Sequence, residues 1–149
     1  MSCGNGLPVG VALTPAPAGD TAGLDAALGS VSVPRPGRGR PRTRPAAIAG
    51  DKGYDHPSVR RRLSRRGVRV VIAHRRPHPH QRPKRGRPFG FDRAVYRRRN
   101  AIERCVGWLK ENRRLGTRYE KLAVSFLAVA HVCMTRLYLR RITGLSDRA

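Results

Sequence analysis

Acidic residues are scarce in this 149-residue chain: nine Asp and Glu face 32 Lys and Arg, for a formal charge of +23 at neutral pH. So lopsided a balance argues against a neutral metabolic enzyme and makes polyanions, nucleic acid above all, the expected partner. A solubilising surplus of charge is the plainer alternative. The three cysteines, Cys3, Cys105 and Cys133, are odd in number, far apart and without a CxxC pair, so they read as reduced thiols rather than a disulfide framework or a zinc site. The N-terminus lacks the basic region of a secretory signal. The most apolar run, residues 122–135, is interrupted by Ser125 and His131 and falls short of the roughly 20 apolar residues a membrane span requires. It reads as a buried helix, His131 as a hydrogen-bonded core residue, and a cytoplasmic protein without membrane association is expected.

What is present suits one α/β domain with irregular, basic interruptions. Residues 7–14 (LPVGVALT) read as a short edge strand, weakened by Pro8 and Gly10, and residues 21–28 as a short helix. The tract VPRPGRGRPRTRP, residues 33–45, alternates Pro and Arg and is expected to be an extended linker, its loop covering residues 34–45. Then AAIAG predicts a strand over residues 46–49 that delivers Asp51 at its C-terminal end. Asp55 is a candidate cap for a helix over residues 56–66, with Pro57 in the first turn and Gly67 as the stop. Val59 and Leu63 form its thin apolar stripe. The β-branched run VRVVIA, residues 68–73, reads as a strand buried on both faces, and strand, helix, strand predicts a parallel βαβ unit. Residues 74–90 are a second basic loop. His74, His78 and His80 alternate there with Pro, with no carboxylate close in sequence to make a metal site of them.

From Asp92 the pattern becomes helical, first to about Leu115 and then over residues 121–142, two long C-terminal helices of which the second is apolar enough to be a core element. On the first, Val95, Ile102, Val106 and Leu109 define a buried face, and Trp108 is expected to pack against the last helix. Tyr96, Arg99, Glu103 and Lys110 project within about 60° of one another on a bordering edge. An aromatic, two cations and a carboxylate so aligned could line a substrate groove, with Arg99 and Lys110 holding phosphates and Glu103 free to bind metal. The plainer reading is an exposed Arg99–Glu103 salt bridge. Scarcity of acids favours the first: Asp51 and Glu103 are two carboxylates placed where they could hold Mg²⁺ ions for phosphodiester chemistry.

The spacing Tyr96, Arg99, Glu103, Lys110 reproduces the Y-R-E-K signature of bacterial insertion-sequence transposases, and AGDKGYD, GRPFGFD, RNAIERCVGWLK and RRLGTRYEK are similar to its surroundings in that family. The chain resembles the C-terminal portion of a DDE transposase of the insertion-sequence family four/five superfamily, from about residue 6 to residue 141. The resemblance implies a partial RNase H-like domain, a mixed sheet containing the βαβ unit, followed by the two helices. It implies Asp51 and Glu103 as the second and third catalytic, metal-binding carboxylates, and two Mg²⁺ ions in the complete enzyme. Tyr96, Arg99 and Lys110 would position DNA at the cleaved strand, and Asp20 would close a turn outside the triad. No acid precedes Asp20, so the first triad position is unfilled. A truncated transposase, with weakened metal binding and inactive alone, is therefore expected. It would be either a relic or a frame that works with the product of an upstream frame.

A rival reading is a nonspecific basic DNA-binding protein. Arg38-Gly39-Arg40-Pro41 and Arg85-Gly86-Arg87-Pro88 each resemble the core of an AT-hook, in which an extended Arg-Gly-Arg lies in the minor groove of A·T-rich DNA. A basic linker touching phosphates is the plainer account of both.

Overall fold

The computed structural model describes residues 1–15, 17–19, 21–74 and 91–144, and its order of elements follows the expected alternation closely in the middle of the chain and less so at either end. Asp20, residues 75–90 with Arg85, Arg87, His78 and His80, and residues 145–149 lie outside the described residues. The chain divides into two units, one built from Met1–Ala18, Ala22–Thr43 and Asn100–Ala149, the other from Gly19–Thr21 and Arg44–Arg99.

The second unit holds the predicted βαβ. Strand β1 (Ala47–Gly50) pairs in parallel with β2 (Arg69–Ile72), Ala47 opposite Arg69 and Gly50 opposite Ile72. Between them run a 3-10 turn (Lys52–Tyr54) and helix α2 (Pro57–Arg65). Pro57 opens α2, where its missing N–H costs nothing, and Gly67 takes the left-handed φ of +66° that reverses the chain into β2. The helix cap differs from expectation: the His56 ring accepts from the Ser58 N–H at 3.3 Å, and Asp55 is engaged elsewhere. Val59 and Leu63, 0% and 1% exposed, pack with Val68, Val71 and Ile72 into a small aliphatic core. At roughly 1.5–3 kcal/mol per buried aliphatic side chain, these five stabilise the unit more than any of its exposed ion pairs. Helix α3 (Arg93–Arg97) contacts both strands; Asp92 Oδ1 accepts from the Val95 N–H at 3.0 Å, as expected of a cap, and its other oxygen lies 3.3 Å from Arg69.

The long helix expected from Asp92 is interrupted. After α3, the Arg99 N–H bonds to the Tyr96 carbonyl, an i to i−3 closure, and α4 starts at Asn100 and ends at Lys110 (Asn100–Lys110). Three consecutive like charges, Arg97, Arg98 and Arg99, followed by cap-favouring Asn100, weaken helix continuity there. The first unit begins its second half at this break.

In that unit α1 (Leu24–Gly29), α4, α5 (Arg113–Gly116) and α6 (Ala123–Thr143) pack with the N-terminal segment. Residues 7–14 are not a strand; only an isolated Ser2–Pro8 bridge forms. Close packing replaces pairing. A Cβ on Gly10 would lie 2.6 Å from the Ala27 carbonyl oxygen, Gly6 (φ +82°) sits with its Cβ position 3.4 Å from the Trp108 ring, and the Tyr138 hydroxyl donates to the Pro8 carbonyl at 2.5 Å. The buried face of α4 is Ala101 and Cys105, about 100° round the helix from the expected stripe; Val106 is 39% exposed and Val95, Ile102 and Leu109 are only half-buried.

Helix α6 overturns the expectation of a buried element. Only Ala130, Cys133 and Leu137 are buried, while Val124, Val132, Leu139 and Ile142 are exposed, Val124 at 81%, and so is His131. The apolar residues wrap the helix, but the unit offers neighbours, α4 and α5, on one side of it. At 21 residues, with an 18-residue window of mean hydropathy 1.2, α6 is also long and apolar enough, by length and composition, to cross a membrane; the helix outruns the apolar stretch read from residues 122–135.

Candidate active site

Parallel strands present their C-terminal ends on one edge of the sheet, where α/β proteins place their ligands. Asp51 follows directly on β1 at that edge. Its backbone is extended (φ −71°, ψ 164°), its Oδ1 accepts from the Lys52 N–H at 2.7 Å to cap the 3-10 turn, and its side chain is exposed. A carboxylate held by a single local bond keeps capacity for a hard cation.

Four residues on, Asp55 is built into a cross-link that the sequence did not announce. Its Oδ1 accepts from Arg60 Nε at 2.7 Å, Arg60 Nη2 donates to the Ile72 carbonyl at 2.7 Å, and His74 Nδ1 lies 3.5 Å from Asp55 Oδ2. Asp55 and Arg60 are only 13% and 16% exposed, so these bonds are largely shielded from water. Together they tie the turn that carries Asp51, helix α2 and the end of β2 into one piece. Asp55 thus bonds Arg60 instead of capping α2, and His74 lies near a carboxylate that is distant from it in sequence. The available signal was an acid five residues ahead of an arginine across a helix start, a separation that no regular periodicity singles out. Beside this cluster a cleft of about 200 Å³ is lined by Arg60, Ser64, Arg69, Val70, His74 and Phe91 among others. That is below the usual size of a small-molecule pocket.

Tyr96 and Arg99 remain neighbours despite the helix break. The Arg99 guanidinium sits 5.9 Å from the Tyr96 ring centroid, within cation–π range, and the Phe91 ring stands 5.0 Å from Tyr96 at 55°. Both are half-buried. Glu103 occupies the first turn of α4 and Lys110 the last, each placed favourably against the helix dipole and each exposed. Asp51, Tyr96 and Arg99 thus belong to the second unit, Glu103 and Lys110 to the first. The wheel that aligned all four signature residues holds within α4 and fails across Arg98–Arg99. Among the described residues no three His, Cys, Asp or Glu side chains gather closely enough to hold a metal ion. Taken singly, Asp51 and Glu103 each offer exposed carboxylate oxygens, donors that suit Mg²⁺ better than softer metals.

Residues 48–140 match the family model described as the transposase DDE domain. The chain belongs to this transposase family. It is also 35% identical, over 119 residues, to a Burkholderia cepacia protein named as a transposase for insertion sequence element IS402. That alignment takes in 80% of this chain and 51% of the relative, so the chain spans about half the length of the curated relative it matches. No solved structure matches it. Asp51, Asp55, Arg60, Tyr96, Arg99, Glu103 and Lys110 all fall inside the transposase DDE-domain match; Arg38 and Arg40 precede it.

Proposed function

We propose that this chain supplies part of the catalytic machinery of DNA transposition, with Asp51 and Glu103 as the carboxylates that hold divalent metal and Tyr96, Arg99 and Lys110 as DNA-positioning residues. The observation that carries the reading is the placement of an exposed Asp51 at the C-terminal edge of the parallel strand pair, within a chain of the DDE transposase family. Mg²⁺, when bound, would supply Lewis-acid stabilisation of the attacking and leaving oxygens of a phosphodiester. The chain's own residues do the rest. The Arg60 cross-link holds the turn bearing Asp51, and Arg99, stacked near the Tyr96 ring, would contact a DNA phosphate through its guanidinium. Lys110 adds a mobile cation. The product is expected in the cytoplasm, where it meets transposon ends and target DNA.

The same reading expects weak metal affinity and little strand transfer by this polypeptide alone, because a pair of divalent ions needs more carboxylate oxygens than Asp51 and Glu103 supply. The test is Mg²⁺-dependent nicking of element-end DNA, by this chain alone and by this chain mixed or fused with the product of an upstream frame. Cleavage only in the combination, abolished by Glu103→Ala or Asp51→Asn with DNA binding retained, is the expected result. Unchanged cleavage by both variants would remove these residues from the site. The rival reading, a basic DNA-binding protein, has one observation in its favour: Arg38 and Arg40, in the loop preceding the DDE match, are exposed together with every residue from 32 to 44.

A further inference from the structure

Residues 33–42 are not the extended linker that their composition suggests. The Val33 N–H donates to the Arg42 carbonyl at 3.0 Å and the Arg42 N–H to the Val33 carbonyl at 2.7 Å, so the two residues form a hydrogen-bonded antiparallel pair that closes the loop. Gly37 and Gly39 take φ of +95° and +140°, and at neither would a Cβ meet any atom within 4 Å. These glycines are there for backbone curvature, not for packing. Pro34, Pro36 and Pro41 fix φ elsewhere in the loop and limit the conformations open to it. Every residue from 32 to 44 is exposed, whereas Val31, just ahead of the loop, is buried at 6% and roots it in its unit. Arg35, Arg38, Arg40 and Arg42 lie in the loop, which contains no acidic residue. Four mutually repelling guanidiniums on a closed, outward loop have no folding role to explain them.

We propose that this loop, closed at its base by the Val33–Arg42 pair, enters the major groove of duplex DNA, with Arg38 and Arg40 near its tip contacting guanine edges and Arg35 and Arg42 contacting phosphates. The inference rests on DNA being the partner, as in the preceding reading, and adds a second contact outside the DDE-domain match, with its groove specified. Width decides the groove. At the base of the loop the hydrogen-bonded Val33–Arg42 pair sets two chain segments about 5.5 Å apart, Cα to Cα, before any side chain is added, so two segments must enter together. The minor groove is about 6 Å wide and accepts the single extended strand of an AT-hook, whereas the major groove, about 12 Å wide, admits a two-stranded ribbon. There an arginine can pair bidentately with guanine O6 and N7.

Fluorescence anisotropy with the full chain tests this on three duplexes: mixed-sequence, all-A·T, and mixed-sequence with 7-deazaguanine, which lacks the N7 acceptor. The expected results are an affinity for mixed-sequence duplex that netropsin, a minor-groove ligand, leaves unchanged, and a loss of about tenfold or more in Arg38→Ala/Arg40→Ala. Arg38→Lys/Arg40→Lys should keep the salt slope and lose the guanine dependence, and on the 7-deazaguanine duplex the three proteins should differ less. Since the substituted side chains are exposed, unchanged melting curves will show that the variants fold. Netropsin sensitivity that disappears in the double alanine variant would place the loop in the minor groove and overturn the proposal. So would equal binding by wild type and variant. Failure of the wild type to bind any duplex would overturn the DNA reading as a whole.

Discussion

Asp55 and Arg60 illustrate how a short-range ion pair gains weight from its surroundings: the guanidinium spans a carboxylate and the Ile72 carbonyl, each at 2.7 Å, and both side chains are largely out of water. Exposed pairs of this kind contribute about 0–1 kcal/mol, whereas removing one partner of a shielded pair leaves the other unsatisfied. Asp55→Asn is expected to lower stability by about 1–3 kcal/mol, read as a shifted urea midpoint. A double-mutant cycle with Arg60→Gln should give a coupling of about 1 kcal/mol or more. Independent, additive losses would mean that the pair is not coupled. Single residues also explain where sequence reading went astray. Gly10 reads as a strand weakener, but the 2.6 Å approach of the Ala27 carbonyl to its Cβ position makes it a packing requirement. That approach depends on α1, which is distant in sequence, so no local pattern reveals it.

Helix α6 carries two apolar sides, and among the described residues one of them is covered. Ala130, Cys133 and Leu137 recur at helical spacing and are buried, whereas Val132, one residue away from Cys133, is 69% exposed. Leu137→Ala should therefore cost about 2–4 kcal/mol and Val132→Ala less than about 0.5 kcal/mol, a contrast measurable in one denaturant series. Similar losses at both positions would mean that the outer side is covered in solution. The α3–α4 break shows the same dependence on context. Hydrophobic periodicity runs through residues 95–109 without interruption, yet beyond the local charges and Asn100 the two segments also differ in packing: Ala101 and Cys105 are buried in the first unit, whereas Tyr96 stands against a partly exposed Phe91 in the second.

Charge dominates the behaviour of the chain as a whole, and it is unusually persistent. Only Lys52, Lys84, Lys110 and Lys121 among the 32 basic residues are lysines, and arginine does not deprotonate in proteins. Alkaline pH will therefore act through other groups. Burial pushes the Cys105 and Cys133 thiols and the Tyr138 phenol above their ordinary values. These are acids whose protonated form the fold prefers, so their contribution is intact below the ordinary thiol pKa of about 8.5 and is lost as pH rises through and beyond the ordinary tyrosine value of about 10. Tyr138 also loses its donor to the Pro8 carbonyl on ionising. The urea midpoint should fall between pH 8 and pH 11, with Tyr138→Phe showing a smaller fall. A midpoint flat across that range would mean that these groups titrate alike in the folded and unfolded chain.

The βαβ unit, the cap at Asp92, the turn at Gly67 and the position of Asp51 after a strand were all specified by near neighbours, because capping, φ preference and apolar periodicity act within a few residues. The net charge and the family signature were equally open to inspection in one dimension. Tertiary structure decided the rest. It chose which side of α6 is covered, set Arg60 across from Ile72, closed the 33–42 loop through Val33 and Arg42, and divided the signature residues between two units at Arg99 and Asn100. Each of those outcomes depends on atoms brought together from separate parts of the chain, and packing partners of that kind leave no periodic trace in either segment alone.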